Sequence, residues 1–104
     1  MSRGFGGIVK QAQAMQQKMA KMQEEMEHLR IEAKVGGGMV SAVVTGRQKL
    51  VALTIDKSVV DPEDIDMLQD LIITAVNEAI KKSQDIQQEE MGKVTGGFNL
   101  PGLM

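Results

Sequence analysis

The feature that most constrains this chain is a seam of apolar residues near its start: Ile8, Ala12, Met15, Met19, Met22, Met26 and Leu29. Their spacing alternates four and three, which places all of them on a single stripe of one α-helix. Between them lie Lys10, Gln11, Gln13, Gln16, Gln17, Lys18, Lys21 and Gln23, and the first acidic residue of the chain is Glu24. A helix with one apolar stripe and a basic, glutamine-rich remainder calls for an apolar partner on one side and an anionic one on the other. The stripe itself reads as packing or subunit contact, carried by Met15, Met19, Met22, Met26 and Leu29. Methionine fills gaps well but specifies packing poorly.

The first helix is expected from about Gly7 to Leu29, roughly 34 Å at about 1.5 Å per residue. Arg30 to Val35 then alternates polar and apolar residues, the pattern of a half-buried strand. Gly36-Gly37-Gly38 supplies a turn free of Cβ crowding. From Met39 to Thr45, Val40, Ala42 and Val44 alternate with Met39, Ser41 and Val43 in a second strand. After the turn Gly46-Arg47-Gln48-Lys49, a third strand runs from Leu50 to Ile55 with Val51, Leu53 and Ile55 on one face. Three short strands with such tight links form an antiparallel meander.

A second helix follows. Asp61 is suited to its N-cap, Pro62 to its first position, and Glu63 and Asp64 to the positive end of its dipole. It is expected to reach about Met91. Ile65, Leu68, Leu71, Ile72, Ala75, Val76, Ala79 and Ile80 give it the broad apolar face that packing on a sheet requires, while Lys81 to Glu90 is wet. The fold class is therefore α+β: α-β-β-β-α in a single domain of residues 1–104, with a three-stranded antiparallel meander between two long terminal helices. Strands this short cover roughly 20 Å, so both helices protrude past the sheet, at the start of the first and the end of the second.

Composition removes several function classes. The chain of 104 residues has no Cys, Trp or Tyr and two Phe, so its core is aliphatic and rich in Met, and support from a second subunit is expected. Disulfides, thiolate nucleophiles and zinc–thiolate sites are ruled out together. His28, beside Glu27, is the only histidine, and no motif sets it against Ser41, Ser58 or Ser83 as a triad would need. The acids from Asp56 to Asp70 lack the ligand spacing of a calcium loop and serve better as helix caps. Gly4-Phe5-Gly6-Gly7 and Gly36-Gly37-Gly38 lack the trailing Lys-Ser/Thr of a phosphate loop. The expectation is a non-enzyme with no cofactor, no metal and no small-molecule substrate. The start lacks the apolar core of a signal peptide, and no apolar run approaches the roughly 20 residues that span a bilayer. A soluble, cytoplasmic protein with no membrane partner is expected.

The net charge of −2 argues at face value against a polyanionic partner, but the distribution matters more than the sum. Arg3, Lys10, Lys18 and Lys21 are the only charged side chains before Glu24. Acids then gather at Glu24, Glu25 and Glu27 and from Asp56 to Asp70. A further basic group, Lys81, Lys82 and Lys93, is diluted by Asp85, Glu89 and Glu90. At the end of the chain, Phe98, Leu100 and Leu103 stand among Gly96, Gly97, Pro101 and Gly102. A tail this apolar is expected to dock in a groove of its own or a neighbouring subunit.

The ordered set of segments resembles the YbaB/EbfC family of bacterial nucleoid-associated proteins over nearly the whole length. The carriers are the Met/Gln helix from Lys10 to Met26, Val43-Val44-Thr45-Gly46 leading to Leu53-Thr54-Ile55, Asp61-Pro62-Glu63-Asp64, and the closing Thr95-Gly96-Gly97-Phe98-Asn99-Leu100-Pro101-Gly102-Leu103. The resemblance implies a small cytoplasmic homodimer that associates with the nucleoid, binds double-stranded DNA between protruding helices and alters its conformation. On this sequence, Arg3, Lys10, Lys18 and Lys21, joined by Lys81 and Lys82, are the expected phosphate contacts, with Gln13 and Gln17 adding hydrogen bonds. The alternative is a protein-binding module with helical arms, an adaptor or prefoldin-like chaperone; against it, only the first helix carries a narrow coiled-coil stripe.

Overall fold

The computed structural model describes residues 2–96, with side chains from Gly6 onward. The chain runs α1 (Ser2–His28), β1 (Ile31–Val35), β2 (Val40–Val44), β3 (Leu50–Ile55), a 3-10 turn (Lys57–Val59) and α2 (Ile65–Gly96). The strands form one sheet in the order β1-β2-β3, antiparallel at both pairings. The helix–meander–helix order read from the sequence is the one observed. Phe98, Leu100 and Leu103, expected to dock, lie outside the described residues, as does the side chain of Arg3.

The core sits between one face of the sheet and α2. β1 turns Ile31 and Ala33 inward, β2 turns Val40, Ala42 and Val44 inward, and α2 meets them with Ala75 and Ala79. None of these is more than 7% exposed. Alanines at the centre let the helix axis lie close to the strands. Larger side chains, Leu71, Ile72, Val76 and Ile80, pack around the contact. The glycine turn between β1 and β2 has φ of +61, +68 and +90° at Gly36, Gly37 and Gly38, values that residues with a Cβ rarely adopt.

The structure corrects the expected boundaries and one face. α2 starts at Ile65 rather than Pro62 because Asp61 folds back on its own loop, its carboxylate accepting from the Glu63 N–H at 2.9 Å. Asp64 takes over the cap, accepting from the Met67 N–H at 3.3 Å. α2 also continues to Gly96, past Met91. α1 begins at Ser2, through the glycines, because extending an existing helix costs far less than nucleating one. In β3, Leu50 pairs with Val44 while Ala52 pairs with Val43, so Val51 is the extra residue of a β-bulge. Leu50, Leu53 and Ile55, not Val51, therefore stand opposite the inward residues of β2.

The β2–β3 turn is locked from two sides. Thr45 Oγ1 accepts from the Arg47 N–H at 3.1 Å and the Lys49 N–H at 3.3 Å. The Gly46 N–H donates to the Met26 carbonyl at 2.8 Å, which fastens the turn to the last turn of α1. On the other side, fully buried Ser83 donates to the Thr45 carbonyl at 2.8 Å and accepts from the Gln48 amide at 3.1 Å. Gln48, at φ +62°, also reaches Gln87 at 3.0 Å. At the opposite end of the sheet, the Ser58 N–H and hydroxyl hold the Asp56 carboxyl below its ordinary pKa.

Candidate nucleic-acid interface

The radius of gyration is 20.3 Å, against about 13 Å for a compact chain of this length. The principal extents are 74 × 25 × 17 Å. The elongation comes from the two helices, which leave the sheet together and in opposite chain directions. Lys18, Lys21, Met22 and Glu25 of α1 line a groove of about 210 Å³ with Glu90, Lys93 and Val94 near the end of α2. Beyond that groove, α1 continues through Gln17 back to Ser2, roughly 24 Å of helix.

The methionine seam is most deeply buried at Met22 and Met26 and least at its N-terminal end. Met22 and Met26 are 4% and 5% exposed, Met15, Met19 and Leu29 are half-buried, and Ile8 is 67% exposed. The seam thus packs within the chain at its C-terminal end and is uncovered at its N-terminal end. Lys10, Gln13, Gln17, Lys18 and Lys21 are all exposed. Lys10 and Lys21 are eleven residues apart, about three helical turns, so they share a stripe, and it faces away from the seam. Lys18 stands nearer to the seam, and both it and Lys21 line the groove against α2.

The second basic group divides. Lys81 and Lys82 are exposed on the part of α2 that lies beside the sheet, and Lys82 Nζ donates to the Glu32 carbonyl of β1 at 3.2 Å. Lys93, eleven residues further on, is the α2 lysine that shares the groove with Lys18 and Lys21, paired there with Glu90 at 3.2 Å. The pattern of α2 alone carries no signal for this. It follows from the antiparallel alignment of the helices, fixed where the turn at Gly46 holds the end of α1.

The acids concentrate elsewhere. Asp64, Asp66, Asp70 and Glu78 line a cleft of about 710 Å³ beside β1, with Lys34 on its rim. The negative net charge is therefore carried largely away from α1's outer half. Among the described residues, no group of His, Asp or Glu side chains is placed to hold a metal ion, and no helix is long and apolar enough to cross a membrane.

Residues 1–98 match the YbaB/EbfC DNA-binding family. The chain is 55% identical to a nucleoid-associated protein of Syntrophobacter fumaroxidans, over 99% of this chain and 93% of that one. It is 49% identical to a nucleoid-associated protein of a Thermoanaerobacter species, over 95% of this chain and 89% of the relative. The fold is similar to the crystal structure of an uncharacterized protein from Helicobacter pylori, with a TM-score of 0.65 and 28% identity over 75% of this chain and 90% of the other.

Proposed function

The chain belongs to the YbaB/EbfC DNA-binding family, and from that premise we propose that it binds double-stranded DNA as a homodimer and acts in the nucleoid, changing the conformation of the DNA it holds. The observation that carries this reading is the projection of α1 beyond the sheet with Lys10 and Lys21 exposed on the face away from its seam and no acid before Glu24. Lys10, Lys18 and Lys21, with Arg3, meet backbone phosphates, and Gln13 and Gln17 add hydrogen bonds from the same helix. Lys93 extends the basic surface from α2, whereas Lys81 and Lys82 contribute from beside the sheet.

The homodimer rests on the contrast between the two edges of the sheet. β1 carries Glu32 and Lys34 on its exposed positions, which guard an edge against further pairing. β3 has no charged residue between Lys49 and Asp56, and Leu50, Val51 and Leu53 are 44%, 42% and 39% exposed. On α2, Ile65 and Ile73 are 46% and 56% exposed. A second copy packed on Leu50 and Leu53 of β3 and on these isoleucines removes apolar surface from water and doubles the number of basic helices that reach one duplex.

Electrophoretic shifts of a duplex at several salt concentrations test the reading. If about four phosphates are neutralised, log K falls against log salt with a slope near −3.6. Replacing Lys10, Lys18 and Lys21 together by Ala is expected to abolish the shift, while sedimentation still reports a dimer and the thermal melt is unchanged. Wild-type binding by that variant would refute the assignment.

A further inference from the structure

At the foot of α1, where the helix meets the sheet, a cleft of about 510 Å³ is lined by Glu27, His28, Arg30, Thr45, Arg47 and Lys49, together with Val51. Two arginines and a lysine face one carboxylate there. That carboxylate is already engaged, since Arg47 Nη1 donates to Glu27 Oε1 at 2.9 Å. Arg30 Nη1 donates to the carbonyls of Glu27 and Leu29 at 3.0 and 3.2 Å, which leaves the other N–H groups of its guanidinium for a ligand. No ion pair involves Lys49 among the described residues.

The cleft is held in shape by the turn that builds it. The Thr45 hydroxyl accepts from the backbone N–H of both Arg47 and Lys49. Gly46 is bonded to the Met26 carbonyl, and Gln48 between the two cations is drawn to Ser83 and Gln87 of α2. Arg47 and Lys49 are thereby presented on the cleft side of the turn while Gln48 anchors the other. Such fixing lowers the ordering cost of binding.

The cleft also continues the basic stripe of α1. His28 is seven residues beyond Lys21, and Lys21 eleven beyond Lys10, so the three share one line down the helix, about 27 Å long and leading to Arg30, Arg47 and Lys49. Glu24 and Glu25 fill the one turn between Lys21 and His28 on this side of the helix, so the basic line runs from Lys10 to Lys21 and is taken up again at His28 and the cleft. A single small anion would occupy only part of the cleft and leave the stripe unused. A ligand with charge repeated over tens of ångströms engages both, and duplex DNA carries one charge per about 1.7 Å of its axis.

We propose that Arg30, Arg47 and Lys49 form a second phosphate-contacting site for the DNA backbone, at the junction of α1 with the sheet, so that the duplex is held along the length of α1 and against the β2–β3 turn rather than at the helix tip alone. The proposal rests on the DNA-binding reading above. Its test uses the full-length chain, a duplex of about three helical turns and a salt series. The double substitution Arg47→Gln with Lys49→Gln is expected to weaken binding roughly fivefold and to make the log–log salt slope shallower by about 1.8, about 0.9 for each phosphate left without its cation. Glu27→Gln, which takes the single negative charge out of the cleft, is expected to tighten binding. This opposite-signed change does not arise from misfolding.

Wild-type affinity and slope in both variants, with the Lys10, Lys18 and Lys21 substitutions still abolishing binding, overturns the second site and leaves the first reading standing. No binding by the wild-type chain at low salt overturns both. Inorganic phosphate alone, titrated while the backbone amides of Arg47 and Lys49 are followed by NMR, is the control. Saturation by phosphate in the absence of any effect of duplex on those amides assigns the cleft to a free anion and overturns the proposal.

Discussion

Met22 and Met26, in the C-terminal half of α1, are 4% and 5% exposed, whereas Ile8, on the same stripe in the N-terminal half, is 67% exposed. Both halves follow the same four-three spacing, and both belong to one continuous helix. The difference lies in what stands opposite. The C-terminal half meets α2 and the β2–β3 turn, while the N-terminal half runs on past the groove that Glu90, Lys93 and Val94 complete. A periodic stripe thus states which side of a helix is apolar; the neighbour decides whether that side is worth stability or remains available for a partner.

The largest expected effect that probes this contrast is at the seam itself. Met26→Ala should destabilise the chain by about 3 kcal/mol, the usual cost of emptying a buried site. Ile8→Ala should fall within about 0.5 kcal/mol, as for an exposed position. Urea denaturation at low protein concentration checks both. A cost at Ile8 that approached the cost at Met26 and grew with protein concentration would show the distal seam to be covered by another copy.

A glycine pair gives effects of opposite sign. A Cβ at Gly46 would lie 2.8 Å from the Met26 carbonyl oxygen and 2.9 Å from the Met26 Cβ, so Gly46→Ala should cost about 1–3 kcal/mol by forcing the turn off α1. Nothing lies within 4 Å of a Cβ at Gly7, and Gly7→Ala should stabilise the helix by about 0.5–1 kcal/mol. Thermal melts read the two directions, and the equality of their signs would break the division of α1 into a docked and an undocked half.

The smallest contrast is between two hydroxyls on α2. Ser83 is fully buried and joins Thr45 to Gln48, so Ser83→Ala should cost about 1–2 kcal/mol by leaving buried partners unpaired. Thr95 is exposed and bonds only to the Met91 and Gly92 carbonyls of its own helix. Thr95→Ala should therefore change stability by less than about 0.5 kcal/mol. Hydrogen exchange at Gln48 sharpens the first measurement, since its protection depends on the turn that Ser83 holds.

Much of the fold was legible because it is local. The alternation from Met39 to Thr45 sorted β2 into two faces, and on one of them Val40, Ala42 and Val44 are 0% exposed. The bounds of β3, from Leu50 to Ile55, follow from the turn residues on either side. The bulge at Val51 was not legible, since alternation alone assigns Val51 to the same face as Leu53. Nor was the cap of α2, where Asp61 and Asp64 are both good candidates and the loop geometry chooses between them. The exposed lysines of α1 could be placed on a face by counting residues. The grouping of Lys93 with Lys18 and Lys21, and of Arg30 with Arg47 and Lys49, required residues far apart in the chain to be brought together.

The order of elements, the apolar seam and the acid-free start of α1 are properties of short windows of sequence, and side-chain periodicity with backbone propensity suffices to specify them. Tertiary structure alone decided how far α1 projects, which half of its seam is dry, and which cations share a cleft. Each of these depends on where the turn at Gly46 docks on Met26. A contact between segments twenty residues apart leaves no period behind in the sequence.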